Sequence, residues 1–490
     1  MQRIASILCL QALFVFSLGA DEPQTRLNPT VKQIVDSISE QRVAAILKKL
    51  EAFGTRYVLS AQDDPAHGIG AAKRWIHDEF KSYSPRLEVS YQDFSVKKGA
   101  RRGQIIRDVD LSNVIAVLPG KTQKDRYVLV TAHYDTVALV RKSFTGREQL
   151  IAESVRTGMD EKEARMLQEL LPPERDLGPL DFEATASQRI SPGVTDDGSG
   201  TAAVMELARV MSQHEFDKTI VFAAFAAEEI GLSGSQTYAA MAKKTGMQIE
   251  ALLNNDIIGS EVAGNGRSAS SVLRVFAGDA EDSPARELGR YVKQMAERYV
   301  PSMRVDIIFR KDRFLRGGDH TPFVNQGYPA VRLTTPNENY DNQHTVTDTF
   351  ANTSVPYTTR VVRMNAAVLA SLALAPSPPT LNWTYSSGPN KGGLVPLLTR
   401  GASGYDAVLH WLPNKESDVA GYAVTIRSTT SPIWERELWV GNVTGYTLPD
   451  VSIDDIVIGV KAVDKDGNQS IVSPYLEPVS PGMLTPATAK

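Results

Sequence analysis

The stretch Tyr127–Val137, YVLVTAHYDTV, decides the fold. Its first half is an unbroken apolar run, as expected of a strand buried on both faces. His133 and Asp135 follow at once, and neither side chain belongs in an apolar core. One such pair is weak evidence. Several strands ending alike are stronger, because an open α/β sheet binds ligands beyond the carboxyl ends of its strands. TIVFAAFAAEE reads as a strand ending in Glu228 and Glu229, and EALLNNDIIG carries Asp256 near its end. SPGVTDDGSGTAAV sets Asp196 and Asp197 in a glycine-rich turn before a helix. Carboxylates gathered at one edge repel one another unless protons or cations compensate them.

Outward from this stretch, strand-like and helix-like segments alternate over residues 29–375, the pattern of an α/β sandwich. VIAVLPG and VLRVFAG add strands, and SGTAAVMELARVMSQ, SGSQTYAAMAKK and ARELGRYVKQMAERYV have helical periodicity. PYTTRVVRMNAAVLASLAL closes the domain, with Pro356 near its first turn. A proline-rich linker, residues 376–384, follows. In residues 385–480 the short β-type runs YDAVLHW, GYAVTIRS, RELWVGN and DIVIGVKAVD are separated by turn residues, which predicts a small β-sandwich. Trp411, DVAGYAVTIRS with Tyr422, and IGVKAVDKDGNQS make this part resemble a fibronectin type III domain. Core packing is expected for most of its aromatic residues, among them Trp434, Trp439 and Tyr446.

The 490 residues are 42% hydrophobic and 22% charged with a net charge of −4. That is globular composition without a basic stripe, which argues against nucleic acid and anionic membranes as partners. Residues 1–20 read as a signal peptide cut near Gly19 or Ala20, so a secreted or periplasmic protein is expected. No later segment suits stable membrane insertion. The single cysteine, Cys9, lies in this leader, which leaves the mature chain without thiol ligands or disulfides.

Two divalent cations would balance Asp196, Glu229, Asp256 and a bridging hydroxide, with two neutral imidazoles completing the set. His133 is one imidazole. The others on offer are His67, His77, His214, His320, His344 and His410. His77 and His214 sit in helical stretches and are expected to face solvent, and His410 belongs to the β-domain. His320 and His344, both in late loops, stay open as the second.

HYD, PGVTDDGSG, FAAEEIGLSGS, NND and QHTVTDT, in that order, resemble the secreted co-catalytic dizinc aminopeptidases of clan MH, of the bacterial leucyl aminopeptidase type. RGGDHTPFVNQGYPAVRL fits the same family. The resemblance implies a three-layer αβα sandwich with a mixed, mostly parallel central sheet. It implies one zinc ion on His133, Asp196 and Asp256 and a second on Asp196, Glu229 and His344, with cobalt or manganese as possible substitutes. It makes Glu228 the general base, Asp135 the partner that orients His133, and the Asp196–Asp197 peptide cis. Strand geometry bears on two of these roles. Residues two apart share a face, so the Asp135 carboxylate can reach the imidazole. Adjacent residues oppose, so a regular strand lets only one of Glu228 and Glu229 be a ligand.

The implied activity is hydrolysis of the N-terminal bond of peptides by metal-activated water. A glutaminyl cyclase, a carboxypeptidase and a non-catalytic receptor or adhesin are the alternatives on this scaffold. Oligomeric state is not legible. Gln343 stands where some relatives have a tyrosine; Tyr340 and Arg316 are expected to shape the pocket, with donation to a developing oxyanion as their alternative role. His320 is expected to order its loop. Residues 136–195 form an insertion with a helix capped by Asp160 and stopped by Pro172–Pro173. Its flanks adjoin ligands, so it is expected to be a lid or wall limiting substrate size.

Overall fold

The computed structural model describes residues 23–142, 147–170, 179–278, 280–386 and 392–477. The leader expected at residues 1–20 and the helix stop expected at Pro172–Pro173 lie outside the described residues. Eight strands form the central sheet: β1 (Glu88–Val96), β2 (Val109–Leu118), β3 (Gln123–His133), β4 (Lys218–Phe225), β5 (Gln248–Asn255), β6 (Val272–Phe276), β7 (Arg304–Ile308) and β8 (Ala330–Thr334). Their order is β1-β2-β4-β3-β5-β8-β6-β7. The pairs β4–β3, β3–β5, β5–β8 and β6–β7 are parallel, and β1–β2, β2–β4 and β8–β6 are antiparallel. The result is a mixed, mostly parallel sheet whose four central strands point one way.

The unbroken apolar runs have a direct structural cause. In β4, Ile220, Phe222 and Ala224 pack into one core, while Val221, Ala223 and Phe225 pack into a second on the opposite face. The first core is closed by helices Ser199–Met211, Pro284–Tyr299 and Val355–Leu374. The second is closed by helices Ser233–Thr245 and Thr321–Asn325, through Tyr238, Ala242 and Phe323. Helices on both faces make three layers and remove both strand faces from water. Each fully buried large aliphatic side chain contributes about 1.5–3 kcal/mol. Among the described residues, no helix is long and apolar enough to cross a membrane.

The structure departs from the sequence reading in several places. Strand β4 stops at Phe225, so the alternation rule does not apply to Glu228 and Glu229. His77 is half-buried and stacked on Tyr91, with ring centroids 4.4 Å apart, rather than solvent-facing. The 376–384 stretch is tied down: Leu381 bridges Trp411, and Ser377 N donates to Glu416 at 2.8 Å.

The C-terminal strands form small antiparallel sheets. One holds Leu398–Thr399, Ala407–His410 and Gly445–Leu448; another holds Arg436–Gly441, Val419–Ser428, Ile456–Asp464 and Ser473–Pro474. Trp411 and Tyr422 lie in their shared core, but Trp434 does not. Its indole Nε1 donates to Glu287 on helix Pro284–Tyr299 at 2.9 Å. Arg427 pairs with Glu281, and the Tyr291 hydroxyl donates to the Gln469 carbonyl at 3.1 Å. The β-unit is therefore packed on the α/β unit by buried polar contacts. Burial pushes the Glu287 carboxyl up, with Arg290 and Trp434 opposing the shift. Trp434→Phe removes one donor from that buried acid and should cost about 1–3 kcal/mol in urea unfolding.

Candidate metal centre

The carboxyl ends of β3, β4 and β5 deliver the side chains. His133 is the last residue of β3 and is buried. Asp256 follows β5, and Glu228 and Glu229 sit in the turn after β4. Asp196 comes from the Val194–Gly198 turn before helix Ser199–Met211, and His344 from the loop after β8. Two groups of possible metal ligands result: His133 with Asp196 and Asp256, and Asp196 with Glu229 and His344. Asp196 belongs to both. Its Oδ1 lies 3.3 Å from His133 Nε2, and its Oδ2 lies 3.1 Å from His344 Nε2. Glu229 Oε2 is 3.1 Å from His344 Nε2, and Asp256 Oδ1 is 4.0 Å from His133 Nε2.

The donor set fits zinc, which takes imidazole nitrogen and carboxylate oxygen. His133 Nε2 and Glu229 Oε1 are buried without a hydrogen-bond partner, the condition a cation would relieve. Burial alone would raise Asp196, yet the two imidazoles beside it hold it well below the usual carboxylate range. Burial would lower both histidines, and the carboxylates facing them push them up instead. Burial, reinforced by Asp256 and Glu229, raises Glu228 well above the ordinary range against the pull of His133.

Local backbone conformation aims these groups. The Asp196–Asp197 peptide is cis. Ala227 (φ 65°), Ile257 (φ 61°) and His344 (φ 57°) occupy the left-handed region, each in a ligand-bearing loop. Gly200 is required by contact: a Cβ there would lie 2.4 Å from the Asn255 carbonyl oxygen and from Asp197 Oδ2.

Asp135 acts differently from the strand-based expectation, because β3 has already ended. His133 Nδ1 meets the Asp135 backbone carbonyl at 3.1 Å, while the carboxylate is 3.6 Å away. That carboxylate accepts from Glu228 N at 3.1 Å and Glu229 N at 3.3 Å. Both glutamates line one open depression of about 220 Å³, with Arg313, Arg316 and Gln343. Arg316 donates to Glu338 at 2.8 Å. Tyr340 is not among the lining residues and is 65% exposed. Gln343 Nε2 donates to Asp196 Oδ2 at 2.8 Å. His320 Nε2 meets the Lys311 carbonyl at 2.6 Å and lies in neither ligand group.

Sequence reasoning missed the supporting residues. Asp197 accepts from His133 N (3.2 Å), Gly200 N (2.9 Å) and Ile257 N (3.2 Å). Asp348 accepts from Thr195 N and Asp196 N, both at 2.9 Å. Fully buried Arg332 pairs with Asp256 at 2.7 Å. Arg56, also fully buried, donates to the carbonyls of Tyr134 (2.7 Å), Leu50 (2.9 Å), Pro192 (2.7 Å) and Gly193 (2.9 Å). Burial lowers Arg56 to about 10 against the pull of Asp348 and Asp135. The turn composition around Asp197 and QHTVTDT around Asp348 were visible signals; nothing local marks the two arginines.

A family model described as Peptidase family M28 matches residues 113–369. A protein of Leptosphaeria maculans described as a "Probable zinc metalloprotease" is 34% identical over 474 residues, covering 90% of this chain and 95% of its own. The LapA aminopeptidase of Legionella pneumophila aligns with TM-score 0.47 at 18% identity, over 72% of this chain and 76% of that one. A glutaminyl cyclase of Fimbriiglobus ruber aligns with TM-score 0.45 at 16% identity, over 68% and 95%. These two structural likenesses do not choose between chemistries.

Asp348→Asn turns an amide N–H toward one of the two backbone donors that the carboxylate now accepts. It should cost about 1–3 kcal/mol in denaturant unfolding with chelator present. Competition with a chromogenic chelator should show zinc affinity about 10–100-fold weaker.

Proposed function

This chain belongs to peptidase family M28, and from that membership we propose that it is a zinc metalloprotease, specifically a dizinc aminopeptidase that removes N-terminal residues from peptides. The observation that carries the reading is Asp196, whose two oxygens face two different buried imidazoles, each with a further carboxylate beside it. His133, Asp196 and Asp256 would hold one zinc ion, and Asp196, Glu229 and His344 the other. Zinc bound there supplies a Lewis acid and lowers the pKa of water toward about 7.

The chain's own groups do the rest. Glu228 lines the depression and belongs to neither ligand group. Its place in the depression, beside both ligand groups, suits it to take a proton from the attacking water and deliver it to the departing amine. Asp135 holds the Glu228–Glu229 turn through both backbone N–H groups and receives the His133 ring on its own carbonyl. Arg316 lines the same depression and is steadied by Glu338. A substrate ammonium entering there meets Glu228 and Glu229, which supports selection of free N-termini. The leader at residues 1–20 supports export before the enzyme acts.

A panel of aminoacyl p-nitroanilides, run with chelator and with zinc add-back, tests the reading. Hydrolysis should vanish with chelator, return with zinc and saturate at two ions per chain by emission spectroscopy. Glu228→Gln should lower kcat about 10²–10⁴-fold with zinc content unchanged. Cleavage of N-acetylated peptides at internal bonds, or cyclisation of glutaminyl substrates without hydrolysis, would overturn the proposal.

A further inference from the structure

Two buried charges, Arg332 and Asp312, stand next to Asp256 and outside both ligand groups. Arg332 belongs to β8, where it is paired with Asn254 of β5 and Phe276 of β6. Its Nη2 lies 2.7 Å from Asp256 Oδ1 and donates to the Asp256 backbone carbonyl at 3.4 Å. That Oδ1 is the oxygen standing 4.0 Å from His133 Nε2. One carboxylate oxygen thus faces a candidate ion position on one side and a guanidinium, which never gives up its proton in proteins, on the other.

The far side of the guanidinium is also held. Nη1 donates to the Gly317 carbonyl at 3.1 Å and lies 3.6 Å from Asp312 Oδ2. Position 318 needs glycine, because a Cβ there would lie 2.6 Å from Nη1 and 3.3 Å from Asp256 Oδ2. Burial would raise Asp312, but Arg332, His320 and Arg313 hold it down to about 2, so it is a carboxylate. Arg313 and Arg316 have an acid of their own in Glu338, whose Oε2 accepts from them at 3.0 Å and 2.8 Å. The other ligand group is built differently. Among the described residues, the ion pairs of Asp196 and Glu229 are to the imidazoles of His133 and His344. The Gln343 amide that reaches Asp196 Oδ2 is neutral.

We propose that Arg332 is a positioning residue that makes the two ion positions unequal: it aims Asp256 and lowers the affinity of the His133–Asp196–Asp256 position, with Asp312 as the counter-charge that limits the effect. The inference rests on the two-ion reading above. A guanidinium and a divalent cation sharing one oxygen repel each other, and a buried site screens that repulsion less than water does. The hydrogen bond also draws on the carboxylate charge that an ion would use. In return, Asp256 keeps its partner and its direction when no ion is bound.

The test reads stepwise zinc affinities of the full chain by competition with a chromogenic chelator, and urea unfolding with chelator in excess. Arg332→Gln should bind the weaker of its two zinc ions about tenfold tighter than wild type, and Asp312→Asn about tenfold weaker. Both changes break a buried ion pair, so both variants should unfold at lower urea than wild type. A purely structural role moves zinc affinity the same way in both, so shifts of one sign, or none, overturn the inference. Arg332→Lys keeps the charge and should restore wild-type affinity. If Arg332→Gln does not fold, weakening in Asp312→Asn with wild-type affinity in Arg332→Lys supports the inference, and any other result overturns it. A wild type that takes up a single ion, with the opposite shifts intact, removes the two-ion reading alone; two ions without those shifts remove this inference alone.

Discussion

Crowding of buried carboxylates along one rim of the sheet is the constraint on which the site depends. Asp135, Asp196, Asp197, Asp256, Asp319 and Asp348 are all buried there, with Glu228 and Glu229 beside them. Burial pushes Asp319 up to about 7 and Asp348 up to about 6. Unpaired, such a set would be strongly destabilising. The fold divides it. Asp196, Glu229 and Asp256 face imidazoles. Asp135, Asp197 and Asp348 instead accept backbone N–H groups of the loops that carry those ligands. Each supporting acid thus compensates its own burial while fixing the direction of a neighbour.

That arrangement needs sharp turns, and the backbone supplies them at some cost. Left-handed non-glycine residues cost on the order of 1–3 kcal/mol each and persist only where the surroundings over-determine them. Ala227, Ile257 and His344 each stand in a ligand loop. The two-sided core offsets this strain, since the middle residues of β3, β4 and β5 are buried and apolar on both faces. The sheet is the platform, and the left-handed residues of the ligand loops lie at its rim.

This division explains what could be read from the sequence. Runs such as VLVTA and IVFAAF are legible because burial on both faces leaves no polar position. His133, Glu229 and Asp256 are legible because ionisable residues at strand ends are unusual, whereas Asp196 and His344, in a turn and a late loop, are legible through the resemblance carried by PGVTDDGSG and QHTVTDT; the structure brings all five together. Strands β1, β7 and β8 were not singled out. β1 is an edge strand with one largely exposed face, and β7 and β8 have only five residues each. Arg332, within AVRLT, looks like an ordinary polar interruption until Asp256 is placed opposite it. Arg56 is illegible for the same reason, since three of its four carbonyl partners lie far along the chain. Only Glu229 of the two adjacent glutamates falls in a ligand group, but alternation is not the cause, because β4 ends before them and a pattern with period two says nothing beyond its strand.

Arg56 also links the metal centre to the insertion. It holds the carbonyls of Tyr134, Pro192 and Gly193, so one buried side chain grips both roots of the 136–195 excursion. Thr136 N returns a bond to the Arg56 carbonyl at 3.3 Å, and Thr136 Oγ1 accepts from Arg56 N at 3.1 Å. Because Pro192 and Gly193 lead into the turn bearing Asp196, a displacement of the roots would move the shared carboxylate. Helices Arg147–Arg156 and Glu161–Leu170 lie beyond these roots, away from the residues that Arg56 holds. Leu139, close to the first root, donates to the His344 carbonyl, and Leu180 is paired with Arg141 on the opposite limb. The backbone that aims His344 and Asp196 is thus tied to residues 136–195 at Leu139 and, through Arg56, at Pro192 and Gly193.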